Sequence, residues 1–195
     1  MATQNRADLT VSPRHETPAG TVDEELKKIE NAMKARVAEV PRYIQQVKNG
    51  ELFERIQSAE FLAEIGDERG VLPLIDALRD PSTTVQYVAA KSLGMLADRR
   101  AVDPLIRSLR SGDKWVRLGA AHALGLIGDK KAVDDIIPLL TDPHHDLRAH
   151  AAWALGKLMD VRAIKPLKRL LQDPKADVRI EAKNALGSLA GADGP

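Results

Sequence analysis

The 195-residue chain contains no cysteine, which excludes disulfides, thiolate metal sites, iron–sulfur clusters and cysteine nucleophiles together. Aromatic residues are scarce, at two tryptophans, two tyrosines and two phenylalanines. A sizeable core must therefore be packed with aliphatic side chains and alanine. No run approaches the ~18 apolar residues of a membrane span, and the N-terminus lacks the apolar core of a secretory signal. Neither sign of charge dominates: 29 basic residues face 28 acidic ones, a net +1. These absences lead us to expect a soluble, cytoplasmic protein with no cofactor of its own.

What is present is a repeat. From residue 51 the chain matches itself at one constant spacing, without an insertion. Gly94, Gly125, Gly156 and Gly187 form one series, each preceded by leucine, and Asp67, Asp98, Asp129 and Asp160 form another. Pro73, Pro104 and Pro166 form a third, with Asp135 in place of proline in one copy. The units run 51–81, 82–112, 113–143 and 144–174, and a half repeat over 175–190 completes the array.

Each unit reads as two helices. In the third copy Val116, Ala120, Leu124 and Ile127 keep helical spacing, Gly128 ends the helix, and Asp129 caps the next one. Val133, Ile136, Ile137 and Leu140 then share one side of that second helix. Pro138 falls inside it, where a kink or a lost hydrogen bond is expected. Alanine pairs at 89–90, 120–121 and 151–152 allow close helix approach. No strand-like alternation occurs, so the expected fold is all-α: an α-solenoid of stacked antiparallel helix pairs with a 31-residue period. Lys183 stands where inner copies carry alanine, as suits a terminal face.

Upstream, residues 1–22 are polar, hold Pro13, Pro18 and Gly20, and are predicted to be a disordered tail. Residues 23–50 read as degenerate N-terminal capping helices, the first an amphipathic helix from Asp23 with Leu26, Ile29 and Met33 on one side and acidic residues in its first turn. Residues 191–195 read as a flexible C-terminus.

The pattern VRxxAAxALGxIGDxxAVxPLIxxL, repeated in register over 51–190, resembles the HEAT repeat in its bacterial and archaeal subfamily, first noted in phycobilisome lyases. The resemblance implies a right-handed superhelix with the helices at 82–97, 113–128, 144–158 and 175–190 on its concave side. It also implies an Asp–Arg ladder bracing successive units, here Asp80, Asp142 and Asp173 with Arg117, Arg148 and Arg179. Ser111 and Gln86 depart from that ladder, so bracing should be weaker near 82–112. The same aspartates can also be read as plain N-caps.

Positions that vary between copies are free for binding. On the inner helices they share a face and include Tyr87, Lys91, Met95, Trp115, Leu118, His122, Leu126, His150, Trp153 and Lys157. Aromatic side chains with apolar neighbours suit a protein-binding hot spot, so these are the expected partner-binding residues. An alternative has both tryptophans covering core.

Other chemistries fit less well. His144, His145, Asp146 and His150 cluster, with Asp146 and His150 at i and i+4, but solvated histidines at a helix end are commoner than a metal site. Residues 23–80 carry 9 basic and 13 acidic residues and residues 81–195 carry 18 and 13, a basic bias too modest for a nucleic-acid footprint. No glycine-rich phosphate loop or catalytic constellation is found. The expected function is a non-catalytic adaptor or assembly subunit holding a protein partner on the concave face. The alternative implied by the resemblance is a tetrapyrrole-handling, lyase-like factor. Without cysteine this chain cannot carry a bilin on a thioether.

Overall fold

The computed structural model describes residues 19–191. The tail expected over 1–22 and the C-terminus expected over 191–195 lie outside these residues, apart from Ala19–Val22 and Gly191, which are helical. Two compact units divide the chain, one up to Arg36 and one from Val37 onward. The first is represented by helix α1 (Ala19–Ala38), which begins directly after Pro18, the last residue that would break it. Because it starts four residues before Asp23, its first turn holds no acidic residue, contrary to expectation. Val22, Leu26, Ile29 and Met33 on α1 are exposed.

The second unit alternates long and short helices: α2 (Val40–Asn49), α3 (Leu52–Ile65), α4 (Val71–Ala77), α5 (Thr83–Leu96), α6 (Val102–Ser108), α7 (Lys114–Ile127), α8 (Val133–Ile136), α9 (His145–Leu158), α10 (Ile164–Leu170) and α11 (Ala176–Gly191). No strand occurs among the described residues. Helices α3, α5, α7 and α9 each end on a left-handed residue at the same repeat position, Gly66 (φ 72°), Ala97 (φ 51°), Gly128 (φ 75°) and Met159 (φ 51°). The next aspartate, Asp67, Asp98, Asp129 or Asp160, accepts a hydrogen bond from the amide two residues on and opens a short 3-10 turn. The short helix starts from that turn.

Two leucine-type series form the core. Leu62, Leu93, Leu124 and Leu155 come from the long helices, and Leu74, Leu105, Ile136 and Leu167 from the short ones, all fully buried. Each such burial stabilises by roughly 1.5–3 kcal/mol. Successive long helices pack directly on one another, whereas the short helices pack mainly on the long ones. Glycine sets the closeness of that contact. A Cβ on Gly94, Gly125 or Gly156 would lie 2.8, 3.0 or 2.8 Å from the Cα of Ala123, Ala154 or Ala185 in the next long helix. At Gly187, on the last helix, nothing lies within 4 Å, and Lys183 beside it is exposed.

Ion pairs at the linkers brace the stack. Arg55, Arg117 and Arg148 reach the carboxylates of Asp80, Asp142 and Asp173, at 2.8, 3.0 and 2.8 Å. These aspartates are therefore rungs and not helix N-caps; the N-cap positions are Ser82 and His144, two residues further on in the first two cases. The pairing also differs from the expected one: Arg55 supplies the first rung, and Arg179 donates only to the backbone carbonyls of Asp173 and Pro174. Each rung runs from an arginine on one long helix to the linker 25 residues ahead.

Pro138 interrupts the second helix of the third unit as expected. The α-helical part stops at Ile136, and Ile137–Thr141 continues as a 3-10 helix with Pro138 in its first turn, where its missing N–H leaves no gap.

Candidate partner-binding groove

The long helices α5, α7, α9 and α11 present one face on which three hollows adjoin. The first, about 120 Å³, is lined by Tyr87, Lys91, Leu118, Gly119, His122 and His150. The second, about 320 Å³, shares His122 and His150 with it and adds Asp146, Ala149, Trp153, Asp177 and Glu181. The third, about 300 Å³, shares Trp153 and Glu181 with the second and extends to Lys157, Asn184 and Ser188. The shared walls make a continuous groove across four repeats.

The aromatic residues of this face sit differently from one another. Trp115 is 52% exposed, meets Tyr87 edge-on at 6.5 Å between centroids, and has the Lys114 ammonium 4.6 Å above its ring. Trp153 is half-buried against the core and stacks on His122, with centroids 4.5 Å apart and 12° between planes. The absent side chain at Gly125 makes room for it, since a Cβ there would come 2.7 Å from the Trp153 ring. The two tryptophans thus differ in burial. Trp115 is a surface aromatic, and Trp153 both walls the groove and covers core.

The other expected residues are also divided. Lys91 and Lys157 are exposed on the groove, and His122 and His150 are half-buried in it. Leu118 is 8% exposed and belongs to the core, reaching the groove only as part of the lining of the first hollow. Met95, Leu126 and Trp115 are exposed but line none of the three hollows; Trp115 borders the first through its edge-on contact with Tyr87.

Charge along the groove is organised by pairs spanning adjacent repeats. Lys114 meets Asp146 at 3.3 Å, and His145 meets Asp177 at 2.8 Å, each pair 32 residues apart. Burial pushes the Asp146 carboxyl up, but the Lys114 ammonium and the Leu147 amide outweigh it and hold the group below its ordinary value. The His145 ring does the same for Asp177. For His122, burial and then the charges of His150 and Lys91 push the imidazole below its usual range, which favours the neutral ring against Trp153.

Asp177, on the groove, and Lys114, which pairs with the groove residue Asp146, were missed in the sequence. A search at the repeat spacing cannot find them, because partners lie one residue beyond it. The histidine cluster is dispersed: His144 pairs with Asp142, His145 with Asp177, and His150 Nδ1 faces the Asp146 carbonyl at 2.9 Å. Among the described residues no three His, Cys, Asp or Glu side chains come together as a metal site would need.

Stacked helix pairs with a face-long groove define the chain as an α-solenoid repeat protein. Residues 44–117 and 102–187 match the model of HEAT repeats, well over half of the sequence. The protein belongs to the HEAT-repeat family.

Among solved structures, the complex of CpcE and CpcF of phycocyanin lyase from Nostoc sp. PCC7120 is similar, at 28% identity and a TM-score of 0.71, covering 76% of this chain and 64% of that one. The chain thus spans less than two thirds of that lyase chain. An engineered protein matches at 23% identity and a TM-score of 0.65, covering 83% and 84% of the two chains. Computationally designed armadillo repeat proteins for modular peptide recognition match at 20% identity and a TM-score of 0.57, covering 78% and 82%. No curated protein matches by sequence. No described helix is long and apolar enough to cross a membrane.

Proposed function

We propose that the protein is a non-catalytic adaptor or assembly subunit that holds a protein partner along the groove of its long helices. The observation that carries this reading is the continuity of the three hollows through the shared residues His122, His150, Trp153 and Glu181. A groove that crosses repeats fits an extended or helical segment, and close packing of the long helices favours this face as the inner side of the bend. The repeats hold the groove preformed, so binding orders little of the solenoid and costs little entropy. The likeness to the complex of CpcE and CpcF supports a protein partner, and the fold is shared with designed armadillo proteins for peptide recognition.

The test compares wild type with a Trp115→Ala/Lys91→Glu/Lys157→Glu variant in affinity capture from the native cell extract. All three residues are exposed, so the variant should fold. A partner that wild type retains and the folded variant loses supports the groove; equal capture by both sinks it.

A second reading, a tetrapyrrole-handling role, is favoured by the likeness to phycocyanin lyase together with Trp153, His122 and Lys157 on one groove. Titrating a bilin into the protein tests it. A shifted visible band that is lost in the Lys157→Glu variant favours this reading, and an unchanged spectrum removes it.

A further inference from the structure

The ladder of arginine–aspartate rungs is broken once. Arg55, Arg117 and Arg148 each hold the aspartate 25 residues ahead, but at the intervening step Gln86 stands for the arginine and Ser111 for the aspartate. Gln86 keeps only the backbone half of the arrangement, its Nε2 donating to the Asp80 carbonyl at 2.6 Å. Where the ion pair is missing, the structure has a cleft of about 290 Å³ between α4 and α6, in the layer of short helices. It is separate from the groove of the long helices, and neither conclusion depends on the other.

The walls of this cleft carry unmatched charge. Nearly every described arginine side chain donates to a carboxylate or a carbonyl; those that make no hydrogen bond or ion pair are Arg79, Arg107 and Arg169. Two of these three, Arg79 and Arg107, line the cleft. The Ser111 hydroxyl, also on the wall, accepts the Asp113 amide at 3.2 Å and keeps its own proton to donate. Asp76 contributes one opposing charge, so these side chains sum to a single positive charge. Ile75, Leu78 and Val116 give the rest of the lining an apolar character.

We propose that this cleft is a carboxylate-binding site, which takes the side chain of a Glu or Asp on an acidic peptide segment. The ligand supplies the negative charge that Ser111 lacks. Arg79 and Arg107 donate to it, Ser111 adds a hydroxyl donor, and the apolar wall receives the methylene stem of the acidic side chain. A surplus of one positive charge matches a singly charged carboxylate better than a doubly charged phosphate.

The site can be read by the Nε–Hε resonances of the arginines in the full chain. The probes are a Glu-rich hexapeptide, its Gln counterpart and inorganic phosphate. Arg169 occupies the repeat position of Arg107 two units later and lies outside the cleft, so it serves as internal control. The Glu peptide should shift Arg79 and Arg107 saturably and leave Arg169 still, and the Gln peptide should shift none. Asp76→Asn should tighten binding, and Arg79→Gln/Arg107→Gln should weaken it about tenfold or more.

Gln86→Arg/Ser111→Asp, which restores the rung, should fill the cleft and abolish the response without lowering the Tm. Three results would overturn the proposal. They are equal movement of all three arginines, which is plain screening; saturation by phosphate but not by the peptide; and unchanged peptide binding after the rung is restored.

Discussion

His122 on α7 and Trp153 on α9 stack nearly parallel, 4.5 Å between ring centroids, so that a groove wall is also an inter-repeat contact. This relationship separates the two tryptophans. Trp153→Ala should remove packing from His122 and Gly125 and cost about 2 kcal/mol. Trp115→Ala, at a half-exposed residue, should stay within about 0.5 kcal/mol of wild type. Urea unfolding of the two variants checks this, and equal costs would mean that Trp115 is not a free anchor.

The same stack makes stability depend on pH. The folded-state pKa of His122 lies below its unfolded value of 6.5, for burial first and then for the charges of His150 and Lys91. Over the interval between the two values the unfolded chain binds more protons, so stability rises with pH. The contribution is fully present above about 6.5 and is lost as pH falls from there toward the folded pKa. Melting followed between pH 7.5 and 5.5 should show a decline that His122→Gln reduces. An identical decline in that variant would place the titration elsewhere.

Close approach at the repeat glycines gives a matched pair. Gly125→Ala puts a Cβ 2.7 Å from the Trp153 ring and 3.0 Å from the Ala154 backbone, and should cost about 2 kcal/mol through overpacking. Gly187→Ala, at the equivalent position of the last helix, meets nothing and should instead stabilise by about 0.5–1 kcal/mol through helix propensity. Denaturation midpoints of opposite sign are the expected outcome.

Strain at the ends of the long helices gives the reverse exchange. Ala97 and Met159 hold φ 51° where the sister units have glycine. Ala97→Gly relieves a left-handed penalty of roughly 1–2 kcal/mol, partly offset by the greater freedom of glycine in the unfolded chain, for a net gain of about 0.5 kcal/mol. Calorimetry of the single variant and of Ala97→Gly/Met159→Gly should show additive gains, because the sites are independent.

Much of this architecture is legible in sequence because repeat constraints are local. A glycine shortly before the end of the long helix, a leucine beside it and an aspartate after it answer to geometry that each unit shares. They therefore recur once per repeat and mark the helices, the core and the cap. Pro138 likewise declares its own break, since proline lacks the N–H that a continuing helix needs.

Contacts between units were not legible in the same way. Rungs join residues 25 apart and groove pairs join residues 32 apart, because facing side chains in stacked helices are offset from equivalent ones. Only the tertiary structure decided that Arg55 supplies a rung, that Leu118 belongs to the core, and that Trp153 is half covered while Trp115 is not. The sequence by itself determined which residues vary from unit to unit. Packing determined which of those reach solvent, since burial depends on what the neighbouring helix leaves open.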